Sequence, residues 1–250
     1  MKNYTEINAQ AIDQWVNEGW EWGQAISAED CEKARHGEWD VLLTPTIPVP
    51  KAWFPPLKGA KLLGLASGGG QQMPVFSLLS ADCTVLDLSD RQLENERLVS
   101  AREGYHINMV KADMTKRFPF EDCSFDVIFH PVSNSYIEDV RHVWNECFRV
   151  LRPGGVLLAG MGNGIEFLAE DDQPLLVVNK LPYNPLKDEA LYQRSIQIDE
   201  SVLFSHTIEE QIGGQLKAGF TLTDLYEDSD HDGIGEYIPN FIATKAVKPQ

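Results

Sequence analysis

The sequence predicts an α/β fold, a doubly wound and mainly parallel sheet of seven strands with additional helices ahead of it. Three observations predict it. Short apolar runs alternate with helical stretches from Lys58 onward, the pattern of βαβ units. The first run leads into a glycine-rich turn, Gly64 to Gln71, suited to a strand-to-helix junction where backbone approaches a ligand. Two acidic residues, Asp87 and Asp113, directly follow the second and third runs, at the carboxyl edge where such sheets bind ligands.

The elements follow in order. Residues 8 to 40 carry apolar positions at helical spacing (Ala11, Ile12, Trp15, Val16, then Cys31 and Ala34), which predicts two short helices. The run TPTIPVPKAWFPP, Thr44 to Pro56, holds five prolines; it excludes helix interior and sheet centre and reads as an extended connection. Then come KLLGLA and QMPVFSLLS, CTVLDL and RQLENERLVSARE, INMVKA, FDVIFH and EDVRHVWNECFRVL, and GGVLLAG. A last helix, HTIEEQIGGQLKAGF, precedes two strands in TLTDLYE and IPNFIATKAV. Residues 1–57 are expected to form a helical cap with its proline-rich connection, and 58–250 the main domain. Within it, 161–205, rich in Pro, Asn and acidic residues, reads as an inserted lid, since long excursions from compact domains are usually functional.

Composition narrows the function. With 43% hydrophobic and 24% charged residues the chain is an ordinary globular one. Its formal net charge of −17 repels a phosphate backbone, and no basic patch offsets it, so nucleic acid is not expected as a partner. The four cysteines, Cys31, Cys83, Cys123 and Cys147, are widely spaced, which predicts buried thiols in a reducing cytoplasm and no metal site. No stretch reaches the roughly 18 apolar residues of a membrane span, and the N-terminal residues lack a signal-peptide core. A cytoplasmic enzyme without membrane attachment is the expectation.

The glycine turn lacks the third small residue of a dinucleotide fingerprint, since Met73 stands there, and it lacks the Lys and Ser/Thr of a phosphate-binding loop. A nucleoside-bearing ligand without phosphates remains, and S-adenosylmethionine (SAM) is one. Asp87 lies 17 positions after Gly70, where a carboxylate can accept both ribose hydroxyl hydrogens; helix capping there falls more naturally to Ser89 or Asp90. Asp113 can accept from an adenine amine while Met114 lies against the ring.

Taken together, LLGLASGGGQQ, VLDLS, KADMTKRFPFEDCSFDVIF and RHVWNECFRVLRPGGVLL resemble the class I SAM-dependent methyltransferases, in particular the bacterial small-molecule group called methyltransferase type 11. The resemblance covers about residues 58 to 160. It implies a Rossmann-like fold, with Ala66, Ser67, Gly68, Gly69, Gly70 and Gln71 along the methionine part of SAM. It also implies ribose binding by Asp87 with Leu88 and Ser89, an adenine sandwich of Leu88 and Met114, and an amine contact from Asp113. The family usually has an acidic residue where Gly64 stands and glycine where Ala66 stands, which motivates a second reading as a SAM-binding protein without catalysis. An NAD-dependent oxidoreductase is a third reading, opposed by Met73.

SAM carries its own leaving group, so the protein has chiefly to align an O, N or C atom of a small acceptor. His130, closing the fourth strand, is the candidate general base and an alternative cofactor contact. Trp53, Asn134, Tyr136 and His206 are the candidate acceptor contacts, with Asn134 open to a helix-capping role near Ile137 instead. Five of the six tryptophans precede residue 54; most are expected in the core, with Trp53 the best exception. The acceptor and the oligomeric state are not legible.

Overall fold

A computed structural model of the chain describes residues 3–169, 176–198 and 200–250. Helices α1 (Tyr4–Glu18) and α2 (Ala28–Arg35) come first, and from β1 (Lys61–Leu65) the α/β alternation begins: α3 (Met73–Leu78), β2 (Asp82–Asp87), α4 (Asp90–Glu103), β3 (Asn108–Lys111), β4 (Phe125–His130), α5 (Val140–Val150) and β5 (Leu151–Gly162). Helix α6 (Glu189–Gln197), α7 (Ile208–Ala218), β6 (Thr221–Asp228) and β7 (Phe241–Val247) complete the chain. The seven strands form one sheet in the order β3-β2-β1-β4-β5-β7-β6. β1 to β5 pair in parallel, and β7 runs antiparallel to both β5 and β6. The order reverses between β1 and β4, so the carboxyl ends of β1 and β2 on one side and β4 on the other open a crevice.

Side-chain alternation divides the sheet's two faces between two cores. Leu63, Leu65, Ile128, Leu157 and Ala159 pack with Val143, Trp144, Cys147 and Phe220 under α5 and α7. Leu62, Val85, Val127, Phe129 and Leu158 point the other way and meet Met73, Phe76, Ala34, Val41, Leu43 and Trp53. The N-terminal 57 residues therefore share a core with the sheet. The proline run is extended as expected, broken by one 3-10 turn at Lys51–Trp53, and Asp228 fastens it by accepting from the Thr46 hydroxyl and from the Thr46 and Ile47 N–H groups. Trp53 is buried, and its indole donates to Asp224 at 2.8 Å beside the Tyr226 ring.

The segment 161–205, expected as an inserted lid, is described in part. Residues 161 and 162 belong to β5, and 170–175 and 199 lie outside the described residues. Tyr192 of α6 packs with Val202 and Phe204 against Tyr4 and Ile7 of α1, because its apolar side chains find α1 within reach. The segment thus buttresses α1, and α1 becomes the cover of the crevice.

Candidate functional site

The site grows from the turn after β1. Ala66 takes a left-handed φ of 47° while its N–H donates to Leu86 O at 2.8 Å. Gly68 donates to Asp87 Oδ2 at 3.0 Å, Gly69 to Gln92 O at 2.8 Å, and Gly70 to Glu96 Oε2 at 3.1 Å. Side chains are excluded where these contacts are closest: a Cβ on Gly68 would lie 2.9 Å from Asp87 Oδ2, and Gly70, at φ +67°, has Val99 and Asn95 against it. Gly64, where the resembled family has an acid, is backed by the Met73 thioether, which a Cβ there would overlap.

Asp87, 8% exposed, ends β2. Its second oxygen accepts from Ser89 N–H at 3.0 Å. Burial pushes its carboxyl up, against the backbone donors of Ser89, Gly68 and Leu88. Ser89 caps α4 by accepting from Gln92 N–H at 3.0 Å, and its hydroxyl donates to Asp13 of α1 at 2.5 Å. Asp13 also accepts from Arg91 N–H at 3.0 Å. At the other end of α1, Asn8 donates to the carbonyls of Tyr136 and Val202 and accepts from Val202 N–H at 2.7 Å. Two buried polar side chains thereby tie α1 across the crevice.

Beneath α1 lies a cavity of about 670 Å3. Of the residues singled out from sequence, Ala66, Ser67, Gly68, Gln71, Asp87, Leu88, Asp113, Met114 and Tyr136 line it. Gly69, Gly70 and Ser89 lie outside that lining; they shape the turn and cap α4. His130 is a larger correction. It is 0% exposed, with Nδ1 3.0 Å from Leu65 O and Nε2 2.8 Å from the Asn134 side chain, and burial pushes its pKa down. Both contacts are to oxygens, the Leu65 carbonyl and Asn134 Oδ1, so both ring nitrogens are taken up within the protein and neither is directed at an acceptor. Asn134 is spent between His130 and Gln211, and α5 is capped instead by Asp139. His206 is buried, its Nε2 3.0 Å from the carbonyls of Asn134 and Ile137. Trp53, bonded to Asp224, is likewise outside the cavity.

The cavity also has walls that sequence reading missed. Trp20, Glu21 and Trp22 approach from the segment after α1, Gln92 from α4, Leu43, Thr44 and Pro45 from the extended connection, and Asp230, Asp232 and Phe241 from the far edge of the sheet. The crowding of tryptophans before residue 54 was the available signal for Trp20 and Trp22. Nothing local marks the others, which are brought in by tertiary packing. The Ser67 hydroxyl, on a residue 4% exposed, and the Gln92 side-chain oxygen are buried without a hydrogen-bond partner. Both residues line the cavity, but the two unpaired atoms lie within its wall, the Gln92 oxygen against Gly69.

Comparison with known proteins decides the family. The methyltransferase-domain model of the methyltransferase type 11 group matches residues 63–159. Over 247 residues, covering 96% of this chain and 97% of the relative, the sequence is 42% identical to the uncharacterized methyltransferase YbaJ of Bacillus subtilis. This chain belongs to the class I SAM-dependent methyltransferases. The methyltransferase resembles in fold a SAM-dependent methyltransferase of Mesorhizobium loti (TM-score 0.62, 20% identity, 79% of this chain and 94% of that one). It also resembles the 1,6-didemethyltoxoflavin-N1-methyltransferase of Burkholderia thailandensis (TM-score 0.61, 13% identity, 99% and 89%). SAM is its cofactor, which sets aside the NAD-dependent reading, and membership of the methyltransferases sets aside the non-catalytic one. Among the described residues no helix is long and apolar enough to cross a membrane.

Proposed function

We propose that the methyltransferase transfers the SAM methyl group to an O, N or C atom of a small organic molecule held in the same cavity as the cofactor. The observation that carries this reading is the size and continuity of that cavity, about 670 Å3, which is in the range of small-molecule sites. Its two ends differ in kind. Around the β1 and β2 ends, Asp87 accepts from the ribose hydroxyls, Leu88 and Met114 flank the adenine, and Asp113 accepts from its amine. Ser67, Gly68 and Gln71 border the amino-acid part. The acceptor lies against Leu43, Thr44, Val132, Ser133, Tyr136 and Phe241.

The bound cofactor supplies an electrophilic methyl on a cationic sulfur, a good leaving group. The protein contributes alignment and exclusion of water, with α1 closing the cavity and residues 1–57 acting as cap to 58–250. Tyr136 serves as a hydrogen-bonding wall, because burial pushes its phenol up to about 12 and it stays protonated. His130 positions the loop 131–136 by joining β1 to Asn134. No residue is assigned as general base.

Calorimetric titration with SAM, its demethylated product and NAD tests the cofactor site. SAM and the product bind, and NAD does not. Asp87→Ala weakens SAM by about 1–3 kcal/mol through lost charge-assisted hydrogen bonds; an unchanged affinity overturns the ribose assignment. Mass-spectrometric detection of a methylated product from a metabolite pool then tests the acceptor class.

A further inference from the structure

The charged side chains lining the cavity are Glu21, Asp87, Asp113, Asp230 and Asp232; among the described lining residues there is no Lys, Arg or His. With Asp87 and Asp113 occupied by the nucleoside under the reading above, Asp230 and Asp232 are left at the acceptor end. We propose that they read a positively charged, amine-type group on the acceptor, whose apolar body rests on Leu43, Pro45, Val132 and Phe241. This inference rests on the proposed function and names the substrate class of that same cavity.

The two carboxylates are built into the turn between β6 and β7. Asp230 accepts from Asn240 Nδ2 at 2.9 Å and from Asp232 N–H at 3.1 Å, and Asp232 accepts from Gly233 N–H at 2.8 Å. These donors are neutral, and among the described residues neither Asp forms an ion pair. Both side chains are exposed at the mouth of the cavity, and among the described residues no cation offsets their charge. A third carboxyl, Glu166, stands behind them near Gly162, whose Cβ would come within 2.6 Å of it; Gly162 pairs with Phe241 in the sheet. One Glu166 oxygen is buried without a partner, and its pKa is pushed up to about 7, first by burial and then by the charge of Asp230.

Physics gives this arrangement a sign. A cleft with low-dielectric walls and charges of one sign concentrates ligands of the opposite sign, and like charges facing a bound anion exclude it. The chain's net charge of −17 extends the same field beyond the mouth. An acceptor held by a carboxylate or phosphate handle would find no cationic side chain among the described lining residues to receive it. An ammonium would neutralise Asp230 and relieve Glu166.

The test uses full-length protein saturated with demethylated SAM and two isosteric probe pairs, phenethylamine against phenylacetate and tryptamine against indole-3-acetate, measured by ligand-observed NMR titration. The amine of each pair binds at least tenfold more tightly than its acid. The double substitution Asp230→Asn with Asp232→Asn, which keeps an acceptor oxygen for the turn, brings that ratio to within about threefold of unity. Equal or tighter binding of the acids, no binding by either amine, or a ratio unaffected by the double substitution overturns the proposal. Failure of the cofactor product to bind is a different result, since it removes the proposed function itself.

Discussion

Replacing Glu96 by Gln isolates the cost of a charge buried under the glycine turn. Glu96 is fully buried; one oxygen accepts from Gly70 N–H at 3.1 Å and the other from the Tyr105 hydroxyl at 2.8 Å. Burial outweighs both donors and raises its pKa from 4.5 to about 7. That displacement corresponds to about 3 kcal/mol at roughly 1.4 kcal/mol per unit. Its sign follows from proton counting. Between pH 4.5 and about 7 the folded state holds a proton that the unfolded state has released, so this group's contribution to stability falls as pH rises and levels off above 7. In Glu96→Gln the titration is gone while an acceptor for Gly70 and a polar partner for Tyr105 remain. The difference in unfolding free energy, variant minus wild type, therefore climbs by about 3 kcal/mol from pH 4.5 to pH 8. Urea unfolding of both proteins at pH 4.5, 6, 7 and 8 measures it, and titrations common to the two cancel in the difference. A difference that is flat in pH, or that falls, refutes the argument that burial governs Glu96.

Gly160→Ala should destabilise the fold by about 1–3 kcal/mol or more, because its Cβ would collide with the Leu43 carbonyl of the extended connection; thermal unfolding reads the loss, and weaker SAM binding should accompany it since Leu43 is a cavity wall. Trp53→Phe should cost about 1 kcal/mol through the lost bond to Asp224 and leave SAM affinity within about twofold. Trp22→Ala should instead weaken SAM severalfold in the same titration, and the reverse order would contradict the cavity boundaries.

The strands, the turn at 64–71 and the acidic residues at the end of β2 and just after β3 were legible because each is written in consecutive residues: short apolar runs, vanishing side chains, a carboxylate after an apolar run. His130 was legible as a position but misread in role. Its place at the end of β4 is local information, whereas Leu65 O meets Nδ1 only when β1 and β4 pair, and Asn134 reaches Nε2 through the turn that follows β4. Trp53 was misread for the same reason, since Asp224 lies 171 residues away. The acceptor wall was illegible throughout: Thr44, Val132, Asp230 and Phe241 come from four separate stretches, and no spacing in the sequence links them.

The fastening of α1 bears on how the protein is made. Asn8 bonds to Val202 across 194 residues of chain, so during synthesis α1 leaves the ribosome long before the residues that latch it. Closing so long a loop carries a large entropic cost, and contacts of this range form late in folding. A nascent chain interrupted before Val202 contains the Ser89 and Arg91 anchor of α1 but not the Val202 one, and the cavity gains its Asp230, Asp232 and Phe241 walls only when synthesis is nearly complete.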